Sequence, residues 1–391
     1  MDEVSRRSLL KGTGAFGAVA GFPGAALAFS PGGRVKYEAA ARTQQAPAPK
    51  YRIRFAVIGL DHVHINFITD ALLRGGGELA AVHSTNAQAL AAYQKRYPGV
   101  KVARSEDEIL NDESIQVVGS ASIPDLRAPL GIRVMRHGKD FLADKPAVTT
   151  LEQLAEVRRT IKETGRIFGI LYSERLQVRA SVHAGELVKS GAIGRVVQTI
   201  NIAPHQLNEK SRPDWFWDPA RSGGILCDIG SHQADEFLYY TGSTTAEVIA
   251  SQVANVNHPH RPKFQDFGDM MLRGNGGFGY VRVDWFTPDG LGSWGDGRQF
   301  ILGTDGYIEL RKYIDIAGRP RGNHLFIVDR KETRYIDCSN VPLPFGEQFV
   351  ADVVNRTHTA QDQEQALLAA ELSLAAQKNA QVVQGEGRQA G

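Results

Sequence analysis

Asp228, His232 and Asp235 stand four and three residues apart in the segment Gly223–Asp235, a spacing that puts all three on one face of a helix. An imidazole with a resting pKa near neutrality suits removal of an alcohol proton, which makes His232 the candidate base. Asp228 would accept a hydrogen bond from that ring or position a substrate hydroxyl, with Asp235 as a further substrate contact. The same pattern also reads as a helix capped by Asp228 around a satisfied core histidine, and that capping does not exclude chemistry at His232. Lys145 is the second candidate, at the end of the short strand Asp140–Ala143. An ammonium beside a reacting hydroxyl stabilises the developing alkoxide, whereas an ordinary loop lysine is solvated. His205, Asn208 and Arg212 lie just before Trp215 and Trp217, a mixture of polar groups and aromatic platforms that suits a sugar site. The two tryptophans read equally well as packing.

A third group follows the first buried strand, Tyr51–Ile58: Gly59-Leu60-Asp61-His62-Val63-His64. A dinucleotide fold usually carries Gly-x-Gly-x-x-Gly there, so that the backbone can approach a diphosphate. Only Gly59 keeps that pattern, and Asp61 stands at the close-approach position, where a carboxylate repels phosphate. After the next strand an acidic residue usually holds the ribose hydroxyls, but this chain has His83-Ser84-Thr85-Asn86. Loss of the acid is compatible with a 2′-phosphate and hence with NADP as well as NAD. The cofactor-binding candidates are therefore Gly59, Asp61, His62, Ser84 and Lys145. Asp61, His62, His64 and His83 also form a set of metal-ligand types. No further ligand is fixed by the sequence and Asp61 suits a helix cap, so no metal is expected.

These residues need elements to carry them. From residue 51 to 172, short apolar strands alternate with amphipathic helices, the pattern of a doubly wound parallel sheet of Rossmann type. Lys145 would then sit at the carboxyl edge of the sheet, where open α/β sheets bind ligands. From 173 to 391 the pattern becomes one helix, then successive strands joined by turns such as Gly274-Asn275-Gly276-Gly277, then helices. That predicts an α+β domain with a large, mainly antiparallel open sheet. Residues 29–50, rich in Ala, Pro, Gly and Gln, read as a linker or arm. Residues 1–28 run from Arg6-Arg7 through a mildly apolar stretch to Ala26-Leu27-Ala28, the order of a twin-arginine export signal. The chain is accordingly expected in the periplasm or outside the cell, with no membrane span once the signal is removed.

The architecture resembles the Gfo/Idh/MocA family of glucose–fructose oxidoreductase, inositol dehydrogenase and rhizopine-catabolism proteins over roughly residues 52–384. Three features carry the resemblance: the strand–glycine opening at Gly59, Asp144-Lys145-Pro146 in place of the family's Glu-Lys-Pro, and Asp228-x-Gly-x-His232-x-x-Asp235. The resemblance implies that Lys145 contacts both the sugar hydroxyl and the nicotinamide ribose, and that the chain forms homo-oligomers through the open sheet face. It implies an exported NAD(P)-dependent oxidoreductase, its cofactor retained on export, acting on a hydroxyl of a sugar, cyclitol or glycoside. Two alternatives stay open: nicotinamide-assisted non-redox glycoside cleavage, and a cofactor-free sugar-binding protein on a degenerate Rossmann frame. A net charge of +2 over 391 residues gives no field to gather nucleic acid. Two cysteines, Cys227 and Cys338, allow one disulfide but no stapled framework.

Overall fold

The computed structural model describes residues 35–39 and 48–384; the expected signal segment and most of the linker lie outside them. A short strand β1 (Lys36–Ala39) precedes the first alternating unit. That unit is β2 (Ile53–Ile58), α1 (Ile65–Arg74), β3 (Gly77–His83), α2 (Ala87–Arg96), β4 (Lys101–Val102), α3 (Glu106–Leu110), β5 (Val117–Ser120), α4 (Pro124–Arg136), β6 (Asp140–Asp144), α5 (Leu151–Thr164) and β7 (Phe168–Leu171). The helix starts follow local chemistry. Asn86, Ser105 and Thr150 each accept an N–H from three residues on, at 3.0, 3.2 and 3.1 Å, which satisfies donors the first turn leaves free. Gly165, left-handed at φ +64°, ends α5.

The strands β4-β3-β2-β5-β6-β7 form one parallel sheet in that spatial order. Strand order reverses between β2 and β5, so a crevice opens outside their carboxyl ends. Every residue of β5, β6 and β7 is buried, as expected for a sheet covered on both faces.

The remainder comprises α6 (Ser173–Leu176), α7 (Arg179–Lys189), β8 (Val196–Pro204), α8 (Pro219–Ser222), α9 (Ile225–Asp228), α10 (Gly230–Thr241), β9 (Ala246–Asn255), β10 (Phe267–Gly274), β11 (Gly277–Asp284), β12 (Arg298–Gly303), β13 (Gly306–Arg311), β14 (His324–Asp329), β15 (Thr333–Asp337), α11 (Phe345–Asn355), α12 (Gln363–Asn379) and β16 (Gln381–Gln384). The second sheet runs β1-β15-β14-β13-β12-β8-β11-β10-β9-β16. It is mainly antiparallel, with parallel pairings at β1/β15, β8/β11 and β9/β16. The β8/β11 pairing differs from a simple meander because residues 205–245 leave the sheet to build the helices and loops of the site, and the chain returns through β9 and β10 before β11 comes to lie beside β8.

Helix α10 is buried along most of its length and covers β8 and β11, while α12 covers β9. Two helices return to the first sheet: α11 packs on α1, and α12 touches α5 and β7. Sequence reading missed α11, whose short stretch follows a proline-rich loop. Cys227 and Cys338 are both buried free thiols in different apolar clusters, so the disulfide the sequence allowed does not form. No helix among the described residues is long and apolar enough to cross a membrane.

Candidate active site

Lys145 leaves the carboxyl end of β6 nearly buried, and its Nζ donates to Asp228 twice, at 2.8 Å to the carbonyl and 2.9 Å to Oδ1. Both acceptors are available because α9 stops at Asp228 and the chain turns at Ile229 before α10 begins. Burial pushes the Asp228 carboxyl upward, but the adjacent ammonium outweighs it and holds the group at about 2. The loop after β6 is pinned from below by Arg127 on α4. Its Nη1 donates to the carbonyls of Lys145 and Pro146, and its Nε to that of Ser122. Sequence reading passed over this arginine because it lies inside a helix with no motif around it.

Beside Lys145 opens a cavity of about 670 Å³ between the parallel sheet's edge and the second sheet. His62, Lys145, His205, Asn208, Arg212, Asp228 and His232 all line it, drawn together from both halves of the chain. His232 on α10 is almost wholly buried, and burial holds its imidazole well below the ordinary value, so the ring is neutral at pH 7. Its Nδ1 has no hydrogen-bond partner among the described residues. His205 sits edge-on to Trp285 and Trp294 at centroid distances of 5.5 and 4.6 Å, and burial lowers its pKa to about 4. The Arg212 guanidinium lies over the Phe216 and Trp285 rings at 4.5 and 4.8 Å. Trp215 joins the cavity wall, whereas Trp217 is buried against Phe216 and Phe264. Trp285, Trp294, Tyr313 and Glu174 also line the cavity, and none lies in a motif that sequence reading could have found.

Asp235 is placed elsewhere. It shares α10 with His232 but turns into the core, where it takes a bidentate contact from Arg175 at 2.5 and 3.0 Å. The expected substrate contact is thus a buried ion pair tying α6 to α10. The break at Ile229 likewise puts Asp228 and His232 on two helices rather than one face, although both still reach the cavity.

The expected nucleotide-binding residues occupy the ends of β2 and β3, outside that cavity except for His62 and Lys145. Gly59 has φ +85°, and a Cβ there would lie 2.5 Å from the Ser122 Cβ, so the glycine is required by conformation and by space. Asp61 is half-buried, and burial raises its carboxyl pKa while the Arg127 charge opposes the rise. Ser84 accepts the N–H of Asn86 at 3.1 Å, and His83 pairs through Nδ1 with the Ala103 carbonyl at 3.0 Å. The metal set considered from sequence therefore does not assemble. His62 and His64 instead converge on Asp144, with Nδ1 at 2.7 Å from Oδ2 and 3.0 Å from Oδ1. Arg127 Nη2 completes the group at 3.1 Å from the same Oδ2. Burial pushes the Asp144 carboxyl upward, yet Arg127 and the two imidazoles hold it well below the usual range.

A crossover crevice, a lysine at its edge and an aromatic cavity under a second open sheet define a two-lobed protein built on an NAD-binding frame. Residues 53–172 match the model for the oxidoreductase family with NAD-binding Rossmann fold, and residues 182–309 match the GFO/IDH/MocA C-terminal domain. The chain belongs to the GFO/IDH/MocA oxidoreductase family. A crystal structure from Erwinia carotovora atroseptica SCRI1043 is 46% identical and superposes with a TM-score of 0.82, covering 85% of this chain and 99% of that one. The chain is 26% identical to the 1,5-anhydro-D-fructose reductase of Ensifer adhaerens over 205 residues, half of this chain and 59% of that protein's length. Levoglucosan dehydrogenase, solved with NADH and levoglucosan, has the same fold at a TM-score of 0.70 and 16% identity, covering 84% of this chain and 98% of that one.

Proposed function

We propose that this protein is an NAD(P)-dependent oxidoreductase acting on a CH–OH group of a sugar, cyclitol or glycoside. The observation that carries the reading is the meeting of Lys145, Asp228 and His232 at one aromatic-walled cavity beside the carboxyl edge of a parallel sheet. The frame suits a nicotinamide dinucleotide at Gly59, at the crossover crevice, and at Lys145. Asp61, the departure from the usual loop, is half-buried, and burial raises its carboxyl while the Arg127 charge opposes the rise, which lessens its repulsion of a diphosphate. When bound, a nicotinamide supplies the hydride acceptor.

The chain's own residues supply the rest. Neutral His232 accepts the hydroxyl proton, and its depressed pKa keeps it free to do so at pH 7. Lys145, aimed by Asp228, holds the substrate oxygen as negative charge grows on it. Arg212, His205 and the tryptophans give the polar and aromatic surfaces that a ring of hydroxyls needs. Dehydrogenases and reductases of small carbohydrates among the relatives support that substrate class.

The test is direct: the purified protein, or the protein incubated with NAD or NADP, should carry nicotinamide detectable by mass after denaturation. Absence of any bound nicotinamide under both conditions defeats the reading. We further propose export through the twin-arginine route on the strength of Arg6-Arg7 and Ala26-Leu27-Ala28. Replacing both arginines with lysine should leave uncleaved protein in the cytoplasm, and unchanged export would refute the assignment.

A further inference from the structure

Two imidazoles, one residue apart in sequence, share a single buried carboxylate at the wall of the cavity. His62 and His64 approach the two oxygens of Asp144 at 2.7 and 3.0 Å, and their rings lie 4.2 Å apart. Potential ligand atoms of the three residues all fall within 4.8 Å of one another, and theirs is the only such group among the described residues. Neither Nε2 has a hydrogen-bond partner among the described residues, although both rings line the cavity. Both rings are partly exposed, so an ion could reach them from the cavity.

We infer that His62, His64 and Asp144 form a binding site for a divalent transition-metal ion on the wall of the substrate cavity. The spacing suits one. Metal–nitrogen and metal–oxygen bonds of roughly 2.0–2.2 Å put neighbouring ligands of one ion about 3.0–3.5 Å apart, from octahedral to tetrahedral geometry. The observed separations of 2.7 and 3.0 Å are shorter by a few tenths of an ångström, so the side chains need only open slightly to admit an ion. Ion entry requires only that each neutral imidazole carry its proton on Nε2 instead of Nδ1, with no change in charge. Two imidazoles and one carboxylate are a donor set that favours ions such as Zn²⁺ over Mg²⁺ or Ca²⁺. Arg127 does not close the site. Its guanidinium is held to Oδ2, which it shares with His62, and to the carbonyls of Ser122, Lys145 and Pro146, while Oδ1 faces His64. An ion there would add a Lewis acid close to Lys145, polarising a substrate oxygen. The site shares His62 with the expected nucleotide loop, but ion binding by the protein is read without nicotinamide and so is tested separately from that reading.

The experiment is calorimetric titration of the full, chelator-treated protein with Zn²⁺, with Mg²⁺ as the comparison ion. One equivalent of Zn²⁺ should bind, and Mg²⁺ should bind far more weakly. His62→Gln and His64→Gln should each weaken Zn²⁺ binding at least about tenfold, while His83→Ala should leave it unchanged. Melting curves run beside the titrations guard against misfolding: Zn²⁺ should raise the wild-type midpoint and fail to raise that of either glutamine variant. No Zn²⁺ binding by the wild type overturns the inference, whatever the variants do. Binding that both glutamine variants retain at full strength also overturns it.

Discussion

At the scale of single residues, the site rests on one ammonium whose geometry is set by others. Lys145 has no freedom to wander, because Asp228 takes it by carboxylate and carbonyl, and Arg127 fixes the backbone that carries it. Lys145→Ala and His232→Ala should each lower kcat by about two to four orders of magnitude, as losses of oxyanion or acid–base groups do. Steady-state kinetics on a turned-over sugar or cyclitol would check this, and a variant retaining most of its kcat would remove that residue from the chemistry. Lys145, Asp228 and His232 were legible because short motifs carried them, and His205, Asn208 and Arg212 only as polar groups clustered before Trp215 and Trp217. Arg127 and Glu174 were not, since their importance comes from partners that only the fold brings near. Asp235 shows the converse: its motif position is regular, but its partner Arg175 lies 60 residues away, and no spacing rule reveals such a pair.

At the scale of elements, helix α10 is held against the second sheet by buried charge as well as by apolar packing. Lys312, which follows β13, donates to Glu174 at 2.8 Å and to Glu236 on α10 at 2.6 Å, and all three are buried. One ammonium cannot neutralise two carboxylates. Burial, together with the nearby negative charges of Glu174 and Asp235, raises Glu236 from 4.5 to about 7 despite Lys312, while Glu174 is held low. A carboxyl raised in the folded state binds its proton when the unfolded chain has already lost it. Its contribution to stability is therefore full below pH 4.5 and gone above about pH 7. The wild-type melting temperature should fall as pH rises from 5 to 7.5 (roughly 1–2 °C per kcal/mol for a chain of 391 residues). Glu236→Gln, neutral throughout, should flatten that decline. Parallel melting profiles for the two proteins would show that the trio does not titrate in this window. Strand–helix alternation made the parallel sheet readable, but the helices that close the molecule were harder to place. The fate of α11 and α12, returning from the far end of the chain to the first sheet, is a matter of tertiary packing that local periodicity does not encode.

At the scale of the whole molecule, the ten-stranded sheet has one face under α10 and α12 and another whose apolar side chains are exposed. Register aligns Tyr307 of β13 with Leu302 of β12, Leu302 with Gln198 of β8, and Gln198 with Phe278 of β11, so a row crosses four adjacent strands. Tyr307, Leu302 and Phe278 are all exposed, as are Met271 on β10 and Ile249 on β9. Isolated exposed apolar residues are ordinary, but several on one sheet face, here interrupted by Gln198 and flanked by Arg273, suit a surface for contact. The family resemblance implies self-association through this face, and a broad sheet can meet its own copy about a twofold axis because the same patch serves both partners. We propose a homodimer, or a higher oligomer built from it, joined here. Light scattering coupled to gel filtration should give at least twice the chain mass for the wild type. Phe278→Glu combined with Leu302→Glu should give the monomer, because each copy would place two carboxylates in an interface lacking partners for them. Both substitutions lie on the face turned away from α10, so nicotinamide binding should survive them. A wild-type monomer at micromolar concentration, or a double variant that still associates, would rule this face out as the interface.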